Sequence, residues 1–444
     1  MSNPRSGLDV VIAGGGPAAS AVALSLASSG IRPLMLVSQR PTFRMLEAIP
    51  SATRSLIEAL GLVHLIDGVG MAFGGLQNLW DPKNPIARSD SLLVFDRAEF
   101  ARHMLEAAVS RGAVVEQTRG RPSLTSMPDY VSVQTAGHDR KFKVAVDATG
   151  RAAIWSRPTA RENQICADIF NAAPTKEETG LCLRRSSAGW TYRLGSREST
   201  TIAILSAHNP HHEVPDSFDG TFGISSRSAR YIGRRAASIQ WAEYPIRDRV
   251  IAVGDAALAH DPISGQGIRF GLASALAAAS VIRTWFRPGC DRATTSEFYT
   301  EFVAAERKRH MEFVRSLYGV SDAEREIPTG ARTDFSSPTL TGSSSERSGK
   351  LRFHAPVESA GLHINGLIKR SEVIRLPDGS SVRWLGGFDL LRLRALADSP
   401  VHISHLQQLL SYEGFVGNRA AELLNWCLAR GILRIEIPEN TPAI

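Results

Sequence analysis

The N-terminal stretch constrains the fold more than any other part of the chain. Residues 8–13 form an apolar run of strand length, a glycine-rich turn follows at residues 14–19, and residues 20–29 have a helical pattern. A G-x-G-x-x-A turn between a strand and a helix is the fingerprint of dinucleotide binding. Gly14 serves the tight turn, Gly16 lets the backbone approach a pyrophosphate, and Ala19 allows close helix–sheet packing. The sequence therefore predicts an α/β domain of the doubly wound, Rossmann-like type.

The end of the second strand, residues 33–37, leaves the dinucleotide undefined. Folds of this type usually carry an acidic residue there for the adenosine ribose, whereas this chain has Ser38 and, two residues later, Arg40. Ser38 can hydrogen-bond a hydroxyl group, and Ser38 with Arg40 would also suit the 2′-phosphate of NADP. From this motif alone, FAD and NADP both remain open.

A second motif lies at residues 249–268. An apolar strand ends at Gly254-Asp255, and the loop Ser-Gly-Gln-Gly, residues 264–267, opens directly into a helix. Asp255 could accept hydrogen bonds from a polyol, and the glycines would let backbone N–H groups and a positive helix end approach a negatively polarised atom. The alternative is a plain strand–turn–helix crossover in which Asp255 is only a cap.

Two further segments strengthen the prediction of a ligand site. A third apolar strand ends in Asp147 and an Ala-Thr-Gly turn, and three such strand ends indicate one ligand at the edge of a doubly wound sheet. The helix predicted at residues 95–105 has Asp96 as its N-cap and Arg97 in its first turn, where a cation opposes the macrodipole. Arg97 is therefore a candidate ligand contact, with a solvated arginine as the alternative.

Composition excludes several classes of protein. The chain of 444 residues has a net charge of +7 and a sequence pI near 9.4, but its arginines are spread throughout, so no nucleic-acid partner is predicted. Its four cysteines form no CxxC pair, and His208, His211 and His212 lie around an Asn-Pro loop without a fourth ligand, so no metal site is predicted. Cysteines this few and scattered fit a reducing cytoplasm, and no segment of transmembrane length is free of charge or glycine, so we expect a cytoplasmic protein without a membrane partner.

Together these motifs resemble the FAD-binding framework of the para-hydroxybenzoate hydroxylase-like flavoproteins, which include aromatic hydroxylases and flavin-dependent halogenases. The resemblance covers roughly the first 320 residues and implies FAD as the cofactor. It places the fingerprint residues at the pyrophosphate, Ser38 or Arg40 at the adenosine end, Arg97 along the phosphates or ribityl chain, and Asp255 on the ribityl hydroxyls. The cofactor-binding residues implied are Gly14, Gly16, Pro17, Ala18, Ala19, Ser38, Arg40, Arg97, Asp255, Pro262, Gly265, Gln266, Gly267 and Ile268.

The resemblance also implies a mechanism. The amides of Gln266, Gly267 and Ile268 would stabilise negative charge at the flavin N1/C2 carbonyl, which favours the reduced flavin that reacts with oxygen to give a C4a-hydroperoxyflavin. Hydroxylation by this route needs a dry pocket and no fixed set of catalytic side chains, so the catalytic residues are unknown. Glu47 and His260 are candidates for proton transfer because both fall in segments that flank the flavin in the family; solvated loop positions are the alternative.

Within this superfamily the sequence is most similar to the tryptophan-halogenase-like proteins. It departs from true halogenases because residues 70–80 contain no lysine and no two tryptophans are two residues apart. It resembles the members that help to make tryptophylquinone cofactors, such as that of quinohemoprotein amine dehydrogenase. That resemblance implies hydroxylation of a tryptophan side chain in a precursor polypeptide, presented alone or with another maturation enzyme, with NAD(P)H or a reductase as electron donor. The alternatives are an oxidase, hydroxylase or halogenase acting on a free small aromatic metabolite, and a docking module in which FAD is only structural.

The domain organisation follows from changes in the sequence pattern. Short β-like runs replace the α/β pattern in the middle of the chain, and a Ser/Thr/Gly/Pro-rich segment precedes the C-terminal part. The predicted divisions are residues 1–160, the first part of the FAD-binding domain; 161–245, an inserted, mostly antiparallel β-sheet substrate domain; 246–327, the second part of the FAD-binding domain with its helices; 328–350, a flexible linker; and 351–444, a small α+β domain like a winged helix.

Overall fold

The computed structural model describes two compact units, Met1–Pro288 and Gly289–Ile444. The residues described are 8–39, 44–63, 72–81, 83, 85–135, 138–158, 160–162, 165–174, 180–186, 189–206, 229–318, 350–385, 387–412, 415 and 418–436. Arg40, the three loop histidines and nearly all of the predicted linker lie outside them.

The helices, numbered in chain order, are α1 (Pro17–Ala27), α2 (Arg54–Ala59), α3 (Arg97–Ser110), α4 (Gly267–Trp285), α5 (Arg292–Tyr318), α6 (Leu391–Leu396), α7 (Ile403–Tyr412) and α8 (Asn418–Ala429). The strands of the first unit are β1 (Val10–Ala13), β2 (Pro33–Ser38), β3 (Leu46–Pro50), β4 (Ala72–Leu79), β5 (Ile86–Asp96), β6 (Val114–Thr118), β7 (Ser123–Ser126), β8 (Val131–Thr135), β9 (His138–Phe142), β10 (Val144–Asp147), β11 (Ala160–Glu162), β12 (Cys166–Ala172), β13 (Gly180–Ser186), β14 (Gly189–Gly195), β15 (Thr200–Ser206), β16 (Arg230–Ala236), β17 (Ile239–Trp241), β18 (Ile246–Arg247), β19 (Val250–Ala252) and β20 (Leu258–Ala259). Those of the second unit are β21 (Lys350–Phe353), β22 (Val357–Ile364), β23 (Leu367–Arg375), β24 (Ser381–Val382), β25 (Trp384–Leu385), β26 (Phe388–Asp389), β27 (Val401–His402) and β28 (Leu433–Glu436).

The first unit contains a six-stranded sheet in the order β18-β19-β10-β1-β2-β6. Its strands are parallel except for β18. Strands β1 and β19 consist of Val, Ile and Ala, and β10 consists of Val and Ala up to its last residue, Asp147; all three are buried along their whole length, as expected for a parallel sheet covered on both faces. This sheet confirms the predicted doubly wound, Rossmann-like fold class.

A second, eight-stranded sheet has the order β16-β12-β15-β14-β13-β4-β5-β3. It is antiparallel apart from the parallel pair of β13 and β4. Three of its strands come from before residue 161, from the stretch that the sequence places in the first part of the FAD-binding domain. The strands of the inserted segment therefore share one sheet with strands from an earlier part of the chain.

One of those partners corrects a prediction. By its sequence pattern, the stretch of residues 41–50 is predicted to be an irregular connection, but Leu46–Pro50 forms β3 and pairs antiparallel with β5, Leu46 opposite Asp96. Leu46 and Ile49 are buried by this pairing. A five-residue strand ending in proline has too little alternation to be recognised locally, because tertiary pairing stabilises it.

The helix ends follow the predicted capping in part. Asp96 is the N-cap of α3 and accepts hydrogen bonds from the N–H groups of Ala98 (2.8 Å) and Glu99 (3.0 Å), which confirms the predicted cap. Residues 51–60 have helical apolar spacing, which predicts a helix capped by Ser51, but this segment starts as a 3₁₀ turn, Ser51–Thr53, and continues into α2 without a side-chain cap.

The second unit joins α5 to the C-terminal strands and helices. The Arg375 guanidinium in β23 binds both carboxylate oxygens of Glu301 in α5, at 2.9 and 3.1 Å. Asp378, in the turn after β23, lies 3.7 Å from Arg309 of α5 and 3.6 Å from Arg430 at the end of α8. Helices α6 to α8 pack with the sheet β27-β21-β28 around one apolar core, in agreement with the predicted small α+β fold.

Across the helices of the described ranges, none combines the length and apolar character that crossing a bilayer requires.

Candidate active site

The three strand ends predicted to form one ligand site are adjacent in the structure. In the parallel sheet, Ala13 of β1 is opposite Asp147 of β10, which is opposite Ala252 of β19. Two hydrogen bonds extend this register beyond the strands: the N–H of Ala148 donates to the carbonyl of Ala13, and that of Val253 to the carbonyl of Asp147, both at 2.9 Å. The predicted turns therefore leave the sheet side by side at its carboxyl edge, where ligands bind in such folds.

The glycines of the first turn serve different purposes. Gly14 has φ = +127°, and a Cβ atom there would lie 2.3 Å from the carbonyl oxygen of Ala148, so no side chain fits. A Cβ atom on Gly16 would have no described atom within 4 Å. Gly14 lets β1 and β10 approach each other, while Gly16 leaves an open surface directly before α1. That open surface fits the predicted approach of a pyrophosphate.

Two helix N-termini stand at this edge without side-chain caps. Helix α1 begins at Pro17 after Gly16, and α4 begins at Gly267 after Gln266; neither has a capping side chain or an acidic residue in its first turn within the described structure. The first N–H groups of a helix lack intrahelical acceptors and carry the positive end of its dipole. Two such ends favour an anionic or negatively polarised ligand.

Small residues bring the two helix ends together. A Cβ atom on Gly254 would lie 3.0 Å from the Ala18 Cβ, and one on Gly271 would lie 3.6 Å from it. Ala18 thus packs between the strand–helix turn that contains Gly254 and the first turns of α4. The predicted pyrophosphate residue Ala18 has a packing role as well, and Ala19 is fully buried, as helix–sheet packing requires.

A capped turn and hydrogen bonds within the loop fix the backbone before α4. Pro262–Ser264 forms a 3₁₀ turn capped by Asp261, and Gly265 follows with φ = +60°. The N–H of Gln266 donates to Ser264 Oγ at 3.3 Å, and its side-chain oxygen accepts from Arg269. Of the three amides predicted to face the flavin, that of Gln266 therefore has an acceptor within the loop. The amides of Gly267 and Ile268 belong to the first helical turn, where no intrahelical acceptor exists.

Glu47 and Arg97 form an ion pair at this edge. The Arg97 Nη1 lies 2.6 Å from Glu47 Oε1, and Glu47, with a smaller contribution from Asp255, raises the pKa of the Arg97 guanidinium above its ordinary value. Strand β3 supplies Glu47 and the N-terminus of α3 supplies Arg97, and these two elements are joined through β5. A carboxylate held in this pair favours a role in orienting Arg97 over the predicted role in proton transfer.

Arg151 is a site residue that the sequence did not reveal. Its Nε lies 3.8 Å from Asp255 Oδ2, its Nη2 donates to the carbonyl of His260 at 2.8 Å, and its Nη1 donates to the carbonyl of Ser238. Burial lowers the pKa of Arg151, while Asp255 and Asp261 oppose that shift. The only signal in the sequence was its position directly after the Ala-Thr-Gly turn that follows β10.

The Asp147 carboxylate forms its hydrogen bonds with residues of the loop that follows it. This carboxylate is 0% exposed and accepts hydrogen bonds from the N–H groups of Thr149, Trp155 and Ser156 and from the hydroxyls of Thr149 and Ser156. Asp147 thus shapes the turn that carries Arg151, and its side chain has no capacity left for a ligand.

Two other predicted residues occupy different surroundings. His260 is buried, and its ring packs against Phe270 with 5.1 Å between ring centroids. Ser38 is the last residue of β2 and is exposed, as an adenosine contact would require.

Tyr192 on β14 lies within the electrostatic influence of the Glu47–Arg97 pair and belongs to a group of aromatic side chains. Burial and the Glu47 carboxylate raise the pKa of the Tyr192 phenol, so it stays protonated at neutral pH. Tyr192 lies 5.9 Å from Trp190, which lies 6.5 Å from Trp80, measured between ring centroids. None of the described strands of the eight-stranded sheet contains a lysine. The sequence did not reveal this aromatic group, because Trp80 follows β4 whereas Trp190 and Tyr192 lie on β14, more than 100 residues later.

The two glycines give a matched test of the turn. We expect Gly14→Ala to lower the melting temperature strongly, because the new Cβ would overlap the Ala148 carbonyl. Gly16→Ala should melt close to the wild type but weaken FAD binding about tenfold, because its Cβ would stand in the open surface before α1. Thermal melting and FAD titration of the purified variants measure both effects. Equal loss of stability in the two variants would contradict the roles assigned to them.

Comparison with known proteins gives relatives of one kind, although no family model matches the chain. The chain is 24% identical over 304 residues to the putative FAD-dependent oxidoreductase LodB of Marinomonas mediterranea, covering 60% of this chain and 82% of that protein. Its structure is similar to the peptidyl tryptophan dihydroxylase QhpG, with a TM-score of 0.69 and 19% identity, covering 96% of this chain and all of that one. It is also similar to the flavin-dependent halogenase CmlS, with a TM-score of 0.72 and 17% identity, covering 96% of this chain and 95% of that one.

These similarities show the fold. The fold is that of flavin-dependent monooxygenases and halogenases, which confirms the resemblance and the fold class predicted from the sequence. The relatives include a putative FAD-dependent oxidoreductase, a tryptophan 2-halogenase and a rifampicin monooxygenase, in agreement with the prediction of an FAD-dependent enzyme.

Proposed function

We propose that this chain is an FAD-dependent monooxygenase that hydroxylates an aromatic ring. The observation that carries the proposal is the convergence, at one sheet edge, of two helix N-termini without side-chain caps and the carboxylate of Asp255, which is 32% exposed. This combination matches a ligand with both a diphosphate and a polyol, and FAD contains both.

Different residues of the site would bind different parts of the cofactor. The open surface at Gly16 and the start of α1 would hold the pyrophosphate, and Asp255 would accept hydrogen bonds from the ribityl hydroxyls. The amides of Gly267 and Ile268 at the start of α4 would lie at the flavin ring, where a helix end favours a negatively charged ring. FAD, when bound, supplies the activation of oxygen. The chain contributes binding, orientation and the exclusion of water.

Arg97 and Tyr192 would complete the polar part of the site. Arg97, oriented by Glu47 at 2.6 Å, carries a fixed positive charge toward the phosphates or ribityl chain. Tyr192, kept protonated by burial and by the neighbouring Glu47 carboxylate, can donate a hydrogen bond at neutral pH. His260 remains a candidate for proton transfer. Its ring is buried beside Phe270, so a ligand that exchanges a proton with it would have to contact the ring at this buried position.

The substrate we propose is a tryptophan side chain of a precursor polypeptide. The similarity of its structure to a peptidyl tryptophan dihydroxylase supports this substrate. Residues 70–80, where the resemblance to halogenases places the lysine that captures hypohalous acid, contain no lysine, which argues against halogenation. The partners would be that polypeptide, alone or with another maturation enzyme, and an electron donor, NAD(P)H or a reductase.

A competition between substrates tests the proposal. The reduced protein, with oxygen and bromide present, is offered a candidate precursor peptide, the same peptide with its tryptophan replaced by phenylalanine, or free tryptophan. We expect a mass gain of oxygen on the tryptophan peptide only. Bromination of either substrate would identify a halogenase and contradict the proposed reaction. Oxygenation of free tryptophan alone would identify an enzyme of small metabolites and contradict the proposed substrate.

A further inference from the structure

We propose that Arg151 is a positioning residue that holds the Asp255 carboxylate toward the ribityl chain and thereby sets the affinity of the chain for FAD. This inference rests on the proposed function, because it concerns the same cofactor site. Arg151 itself need not touch the cofactor, since it acts through Asp255.

The first support is that three fixed points locate the Arg151 guanidinium. Two are backbone carbonyls: that of Ser238, between β16 and β17, and that of His260, directly after β20. The third is the Asp255 carboxylate, 3.8 Å from the guanidinium Nε. The Arg151 backbone is held as well, since its carbonyl accepts from the Gln240 side chain at 2.9 Å. Several fixed acceptors restrict the orientation of a planar guanidinium. A carboxylate that pairs with this guanidinium is restricted as well.

The second support is electrostatic. Burial lowers the pKa of Arg151, which means that the protein places this cation where water solvates it poorly. A poorly solvated cation favours an adjacent anion, and Asp255 is the larger of the two carboxylate contributions that oppose the shift. Asp255 also acts on Arg97, so the carboxylate lies within the influence of two cations. Arg151, whose guanidinium is held by two backbone carbonyls, keeps Asp255 in place.

The third support is the path of the chain. Arg151 follows the turn that Asp147 shapes with five hydrogen bonds, so the start of its side chain is fixed to the carboxyl edge of the parallel sheet. Gly254, next to Asp255, donates its N–H to Ser274 Oγ of α4 at 3.0 Å. The backbone of the Asp255 turn is therefore fixed independently of Arg151. What Arg151 adds is the direction of the carboxylate.

A purely structural role for Arg151 makes a different prediction. If the residue only ties the Ser238 and His260 segments together, its removal would weaken FAD binding regardless of what occupies position 255. If it acts through Asp255, its removal should matter little once the carboxylate is gone. A double-mutant cycle separates the two roles.

The cycle uses Arg151→Gln, Asp255→Asn and the double variant, with FAD affinity measured by titrating the apoproteins. We expect each single variant to bind FAD about tenfold or more weakly than the wild type. The double variant should bind within about threefold of Asp255→Asn alone. Losses that multiply in the double variant would overturn the inference, as would a wild-type affinity in Arg151→Gln.

Two further variants keep the test decisive. Arg283→Gln is the matched control: Arg283 in α4 is also a cation whose pKa burial lowers, and it binds the Ser25 carbonyl at 3.0 Å. It should lose stability but keep its FAD affinity. Arg151→Lys, which keeps the charge without the planar fork, should fold and fall between the wild type and Arg151→Gln in affinity. A wild-type protein that takes up no FAD would refute the proposed function itself, whereas FAD binding with independent losses would refute only the role of Arg151.

Discussion

Replacement of Asp255 by alanine is expected to remove most of the FAD from the purified protein. The carboxylate would accept charge-assisted hydrogen bonds from the ribityl hydroxyls, and such bonds contribute about 1.5–3 kcal/mol each. Loss of the Asp255 carboxylate also removes a negative charge that acts on the guanidinium groups of both Arg151 and Arg97. We therefore expect the dissociation constant for FAD to rise on the order of 10- to 100-fold or more, measured by titration of the apoprotein.

Asp9→Ala provides the control for this loss. Asp9 directly precedes β1, at the opposite end of the same sheet, where it lies 3.3 Å from Lys143. This variant removes a carboxylate from the same unit and should bind FAD like the wild type. Normal FAD affinity in Asp255→Ala, or an equal loss in both variants, would mean that the cofactor does not use the Asp255 turn.

Asp147→Asn should destabilise the first unit more than any other single change considered. The carboxylate is 0% exposed and accepts five hydrogen bonds. An amide would turn its NH₂ group toward at least two of those donors and leave them unsatisfied, at about 1–3 kcal/mol each. We expect a loss of at least about 3 kcal/mol, which corresponds to roughly 5–10 °C in melting temperature for a unit of this size.

The matched variant for that change is Asp129→Asn, because the Asp129 side chain is 96% exposed. Thermal melting followed by tryptophan fluorescence compares the two variants, and Asp129→Asn should stay close to the wild type. An Asp147→Asn protein that melts like the wild type would show that the loop is held by other contacts. It would also weaken the inference that Arg151 starts from a fixed point.

The parts of the site that sequence could predict are those with a local cause. The fingerprint at residues 14–19, the Gly254-Asp255 turn and the Asp96 cap each depend on the order of a few neighbouring residues. Parallel strands place their carboxyl ends at one edge, so three local turns sufficed to predict a common site. The structure brings them together through the register of Ala13, Asp147 and Ala252.

The parts that could not be predicted depend on contacts between distant residues. Glu47 and Arg97 are 50 positions apart, and Arg151 and Asp255 are 104 apart. Strand β3 has too few residues to show a period, and β5 stabilises it by pairing. Asp147 shows a third limit: the sequence reveals a carboxylate at a strand end, but only the folded loop reveals that its five hydrogen bonds are internal.

The central claim is that the convergent ends of α1 and α4, with Asp255, hold FAD. The absorption spectrum of the purified protein tests it most directly, combined with release of the flavin by denaturation to count the FAD bound per chain. We predict the visible band of a bound flavin and about one FAD per chain, either as isolated or after incubation with FAD. A well-folded protein that stays colourless and takes up no FAD would contradict the account.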